Sequence, residues 1–80
     1  MPRVTLLYFA SLRDAAGVAS ESTATDAPDL RALYLQAQDR HGFVLPVDRL
    51  RVAVDGAFSP WDARVTEGAE IAFIPPVSGG

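Results

Sequence analysis

Eighty residues make one small domain, and 49% hydrophobic against 21% charged residues is enough to bury a core. A chain of this length hides only about 60% of the surface its unfolded form exposes, leaving little room for a substrate pocket beside the core and favouring a carrier, adaptor or subunit. The absence of cysteine excludes disulfides, thiolate metal sites and cysteine nucleophiles, and a net charge of -3 argues against a nucleic-acid footprint and for a basic partner.

Residues 3–9 (Arg-Val-Thr-Leu-Leu-Tyr-Phe) open the chain with branched and aromatic side chains, which predicts a strand. Both of its faces are apolar, Leu6 and Tyr8 on one and Leu7 and Phe9 on the other. Residues 11–16 read as a short helix capped by Ser11, with Asp14 three residues on and Gly17 as its stop. Residues 18–25 alternate small apolar and hydroxyl side chains, the pattern of a half-exposed strand.

Residues 26–41 predict the main helix. Asp26 is placed to cap it, Pro28 suits its first turn, and Leu30, Leu33, Tyr34 and Ala37 recur at i, i+3, i+4 and i+7. Gly42 ends it, and His41, the single histidine, suits the negative helix end better than a metal or catalytic role, since no second histidine or cysteine completes a site. Residues 43–49 contain Pro46 and no clear period, so they read as a loop with a few buried anchors. Leu50, Val52 and Val54 then alternate with Arg51 and Ala53, and Asp55-Gly56 is a hairpin turn into Ala57 and Phe58. Turns follow at 59–62 and 66–69, with Trp61 read as a loop anchor, and residues 70–74 form the last strand. Asp48, Asp55 and Asp62 read as turn and solubility residues, with no metal site expected.

This order predicts an α+β domain over residues 1–74, a mixed sheet of four or five strands with one long helix packed across it. The first and last strands are expected to be central, adjacent and parallel. If the helix covers Leu6 and Tyr8, then Leu7, Phe9 and Ile74 share a face that only a protein partner or the loop at 43–49 can cover. No apolar run approaches the roughly 20 residues needed to span a bilayer, and residues 1–9 have no leader pattern, so a cytoplasmic protein without membrane or nucleic-acid partners is expected.

The reactive element is expected at residues 75–80. Pro75 and Pro76 give a stiff, extended exit, and Val77 and Ser78 lead to Gly79, Gly80 and a free carboxylate. Six residues reach up to about 20 Å, far enough to enter another protein's active site. Lacking Cβ atoms, the two glycines can thread a narrow channel and leave the carboxylate unhindered. All seven basic residues are arginine, so the chain offers no lysine on which to build isopeptide chains of itself. The sequence contains no phosphate-binding loop, so any ATP is expected to be bound by a partner.

Phe9-Ala10-Ser11-Leu12-Arg13-Asp14, the run from Glu67 to Phe73, and Pro75-Pro76-Val77-Ser78-Gly79-Gly80 together resemble the small subunit of molybdopterin synthase. That family consists of ubiquitin-like β-grasp sulfur carriers, and the resemblance covers essentially the whole chain. It implies a set of roles. An E1-like, ATP-dependent enzyme adenylates the Gly80 carboxylate, and sulfur replaces the adenylate to give a thiocarboxylate. The large synthase subunit, in a heterotetramer, then passes the sulfur to a cyclic pterin precursor for molybdenum cofactor biosynthesis. On this reading the carrier binds no cofactor and is not catalytic alone, Gly79 and Gly80 are the reacting residues, and Leu7, Phe9, Ile74, Pro75, Pro76, Val77 and Ser78 meet the partner. The chain departs from some relatives in having Phe73-Ile74 where they have two phenylalanines, and Asp55-Gly56 in place of an asparagine turn. Thiamine and tRNA-thiolation carriers share the chemistry, and a ubiquitin-like protein modifier or interaction module is the alternative of a different class. The two prolines before Val-Ser-Gly-Gly favour the molybdopterin reading.

Overall fold

A computed structural model describes residues 1–76 of the chain. Five strands, β1 (Arg3–Tyr8), β2 (Ser20–Ala24), β3 (Arg51–Val54), β4 (Ala57–Ser59) and β5 (Glu70–Ile74), form one mixed sheet in the order β2-β1-β5-β3-β4. The most apolar strands take the middle. β1 and β5 run parallel, with Leu6 opposite Ile71 and Tyr8 opposite Phe73, and the remaining pairings are antiparallel. The expected β-grasp arrangement is thus present.

Helix α1 (Ala10–Ala16) follows β1, and α2 (Leu30–His41) packs across one sheet face. The predicted stripe is the buried one: Leu30, Leu33, Tyr34 and Ala37 are all at 1% exposure or less, against Val4, Leu6, Tyr8, Val52, Ile71 and Phe73 from the sheet. Val54, which alternates in phase with Val52, is half-buried at the margin of that layer. Trp61 anchors its loop as expected, lying parallel to Phe73 with ring centroids 6.1 Å apart.

Several boundaries differ from the sequence reading, each for a local reason. β1 ends at Tyr8, because Phe9 turns the chain into α1 and Ala10 takes a left-handed φ of 51°. Ser11 is therefore inside the helix and caps nothing. The carbonyl of Phe9 accepts from Leu12 and Arg13 N–H. The main helix begins four residues later than expected, since proline disfavours helical backbone in the residue before it, here Ala27. Asp29, not Asp26, is the cap, its Oδ1 accepting from Ala32 N–H at 2.8 Å. The N–H groups of Leu30 and Arg31 donate to the carbonyls of Ala63 and Trp61, so the Trp61 loop helps seal this helix end. Asp26 instead accepts from Gln36.

β2 is shorter than predicted, and Thr25 beyond it is buried, donating to Gln36 at 2.6 Å and accepting from Ala27 N–H at 3.0 Å. The loop after α2 contains a 3-10 turn, Val47–Arg49, and folds against the helix layer. Phe43 is buried among Tyr8, Tyr34 and His41, and Tyr34 donates to the Leu45 carbonyl at 2.6 Å. This loop therefore does not cover Leu7 and Phe9. No helix among the described residues is long and apolar enough to cross a membrane.

Candidate functional site

The sheet's second face follows from alternation along each strand. Side chains that skip the core stand here in rows fixed by the pairing register. Phe9, Ile74 and Arg51 lie toward the end where the chain leaves β5. Leu7, Ala72, Ala53 and Phe58 form the next row, and Thr5 and Glu70 the one beyond. A shallow cavity of about 260 Å³ opens among Leu7, Phe9, Phe58, Ala72 and Ile74. Phe9 and Phe58 are 44% and 66% exposed, a high solvation cost for two large rings unless something covers them. The other exposed large apolar residues, Met1, Val18, Leu35 and Val44, lie on the N-terminus, the turn after α1, α2 and the loop beyond it.

Leu7, Phe9 and Ile74 were legible in the sequence, but Phe58, Ala53 and Ala72 were missed. The signal was present in the hairpin. A two-residue Asp55-Gly56 turn pairs Ala53 with Phe58, and Ala53 skips the buried parity of Val52, so Phe58 belongs on the open face. Asp55 also serves the face's far edge, its backbone N–H donating to the Glu70 carbonyl and its Oδ1 accepting from Glu70 N–H at 2.9 Å.

At the near edge the ladder stops. Arg51 opposite Ile74 is the last pair of β3 with β5, and Pro75 and Pro76 have no N–H with which to continue it. The chain therefore leaves the sheet beside the open face. Val77, Ser78, Gly79 and Gly80 lie outside the described residues.

A polar cluster on the other side of the sheet has no signature in the local sequence pattern. Glu21 of β2 accepts from the Tyr8 hydroxyl, from His41 Nε2 at 2.7 Å and from Arg40 Nη1 at 3.3 Å, tying the end of α2 to the sheet edge. Burial raises its pKa, but the hydrogen bonds from Tyr8 and His41, with the charges of His41 and Arg40, outweigh it and hold Glu21 below the ordinary carboxylate value. The same burial, with the bond to Glu21 and its charge, pushes the Tyr8 phenol upward, so it stays a donor. These groups lie on the helix side, away from the apolar face. Among the described residues no group of three histidine, aspartate or glutamate side chains is placed to hold a metal ion.

The geometry is that of a domain presenting one apolar sheet face with a polypeptide tail leaving its edge. Comparison with known proteins places it. A model of the ThiS family matches residues 6–80. The chain belongs to the ThiS family. It is 36% identical to the molybdopterin synthase sulfur carrier subunit of Escherichia coli, in an alignment covering 96% of this chain and 99% of that protein. A putative molybdopterin converting factor subunit 1 from Pyrococcus furiosus superposes with a TM-score of 0.81 at 26% identity, covering 96% of this chain and all of the other. The fold alone is shared, at 20% identity and a TM-score of 0.68, with a chain from the complex of subunits 1 and 2 of the molybdopterin-converting factor of Helicobacter pylori, over 98% of this chain and 99% of that one.

Proposed function

We propose that this member of the ThiS family is the sulfur carrier subunit of a cytoplasmic molybdopterin synthase. The observation that carries the reading is the 36% identity to a sulfur carrier subunit over nearly the full length of both chains. The structure adds physical support, because the apolar open face is continuous with the point at which Pro75 and Pro76 leave the sheet. A subunit seated on Leu7, Phe9, Phe58 and Ile74 would receive the tail directly.

Gly80 carries the reaction in this proposal. An E1-like partner binds ATP, and attack of the Gly80 carboxylate on the α-phosphate forms the acyl adenylate and releases pyrophosphate. Sulfide-level sulfur then attacks the acyl carbon and expels AMP, leaving a thiocarboxylate whose sulfur the large subunit transfers to the pterin precursor. This chain contributes a stiff exit at Pro75 and Pro76, an unhindered terminus at Gly79 and Gly80, and the docking face. The sulfur travels on a backbone terminus, so no cysteine is needed.

Appending one residue after Gly80, or deleting Gly80, moves the reacting group by about 3.3 Å, far beyond the fraction of an ångström a preorganised site tolerates. Both variants are expected to melt like the unaltered chain, since the described core ends at Phe73. Neither should support adenylate exchange or sulfur delivery, whereas Ser78→Ala should keep most activity. Intact mass of protein purified from its own host should include a species heavier by one oxygen-to-sulfur exchange. Sulfur delivery by the extended chain, untrimmed, would show that the terminal carboxylate is not the reacting group.

A further inference from the structure

The apolar face has a charge at each end. Arg51 stands in the row nearest the tail, opposite Ile74, with its guanidinium carbon 5.3 Å from the centroid of the Phe58 ring. Arg49 joins it around a groove of about 310 Å³ walled by Ile74, Pro75 and Pro76, with Asp48 beside Arg49. Neither arginine forms an ion pair among the described residues, where the two ion pairs both involve Glu21 on the opposite side of the sheet. Glu70 holds the other end of the face, four residues or about 13 Å along β5.

Resting on the reading that a synthase large subunit covers this face and takes the tail, we infer that the large subunit sets a carboxylate against Arg51, and that this pair fixes the register in which the two subunits dock. The reason is desolvation. The Arg51 guanidinium lies over the Phe58 ring beside the apolar centre, so a partner that removes water from Phe58 and Ile74 also removes it from the guanidinium. A desolvated arginine without a counter-charge opposes binding strongly, and no carboxylate among the described residues, Asp48 included, lies within ion-pair distance of Arg51. A planar guanidinium held against a ring presents its N–H edge outward, a geometry suited to a bidentate carboxylate. The anion belongs to the protein partner and not to a phosphate of nucleotide or pterin. Six residues separate Ile74 from Gly80, a span of about 20 Å at full extension, so a small-molecule phosphate held at the end of an extended tail would be out of reach of Arg51. With Glu70 at the far end, the face is electrically polar along the strands, and a partner docked in reverse would set like charges together at both ends.

The test is calorimetric titration of the full chain into the large subunit from the same organism, using Arg51→Lys, Arg51→Met and, as a remote control of equal charge change to Arg51→Glu, Arg31→Glu on α2. Lysine and methionine both keep an alkyl stem over Phe58 and both lose the guanidinium, but only methionine loses the charge. Affinity is expected to fall in the order Arg, Lys, Met, with Arg51→Met weaker by about thirty-fold or more because it strands the partner's carboxylate. Arg51→Glu should be weaker still, and Arg31→Glu should stay close to the unaltered chain. If Arg51→Met binds as tightly as the unaltered chain, or more tightly, no carboxylate faces Arg51 and the inference is overturned while the carrier reading stands. If the unaltered chain itself does not bind the large subunit, the carrier reading falls and this inference falls with it.

Discussion

Glu21 shows how much a single side chain can hold together in so small a domain. Its carboxylate is 24% exposed and accepts from three donors on two other elements, Tyr8 on β1 and Arg40 and His41 on α2. The Arg40 contact involves a 43% exposed side chain and contributes about 0–1 kcal/mol. The bonds to Tyr8 and His41 matter more, since truncating their acceptor leaves half-buried donors unsatisfied, and Glu21→Ala should cost about 1–3 kcal/mol at neutral pH. A carboxylate whose pKa is lower folded than unfolded stabilises the fold above its unfolded value and loses that contribution as pH falls through the folded one. For Glu21 the window therefore lies below about pH 4.5, the ordinary value. Melting temperatures measured from pH 7 to pH 3 should fall less steeply below pH 4.5 for Glu21→Gln than for the unaltered chain. Parallel curves would mean that the cluster does not couple to folding. Nothing in the local pattern pointed to this cluster. His41 was correctly read as a helix-end residue, but its partner lies 20 positions away, and a contact between a strand and a helix end leaves no periodic trace.

At the scale of elements, α2 was legible in its face and misread at its start. The buried stripe obeys the 3.6-residue period and needs no tertiary information, whereas the cap was decided by Pro28 and by the carbonyls of Trp61 and Ala63, which come from a loop far along the chain. Two kinds of substitution separate these effects. Leu33→Ala opens a cavity at a site 1% exposed and should cost about 2–5 kcal/mol in denaturant unfolding, while a loss under about half a kcal/mol would place Leu33 outside the core. Asp29→Ala should cost about 0.5–2 kcal/mol as a lost cap, and Asp26→Ala, on an exposed hydrogen bond to Gln36, should stay within about half a kcal/mol. Equal effects at the two aspartates would contradict the capping assignment. The hairpin at Asp55-Gly56 was the most legible element because both turn residues need a positive φ, 51° and 87° here, which aspartate tolerates and glycine adopts freely. The same turn chemistry that made it visible also sets Phe58 on the open face.

For the molecule as a whole, the two apolar faces of β1 already implied a central strand with something on each side, and the structure supplies a helix for only one. Which side the loop at 43–49 would take could not be read from its sequence, because Phe43 and Leu45 are equally suited to either layer. Its choice of the helix side is what leaves Leu7, Phe9, Phe58 and Ile74 for a partner. Ile74 tests that arrangement most directly, because it is half-buried at the end of β5 and stands across from Arg51. In the free chain Ile74→Asp sets a carboxylate opposite a guanidinium, a cross-strand pairing that offsets part of the lost apolar contact, so circular dichroism should report a folded sheet and the melt should shift only slightly. In the complex the same carboxylate would be pressed into the apolar centre and would occupy Arg51, leaving any partner acid without its counter-charge. Affinity for the large subunit should then fall by about thirty-fold or more while the monomer is intact. A monomer that unfolds on this substitution would instead make Ile74 part of the core, and the face that binds the partner would have to be sought elsewhere on the molecule.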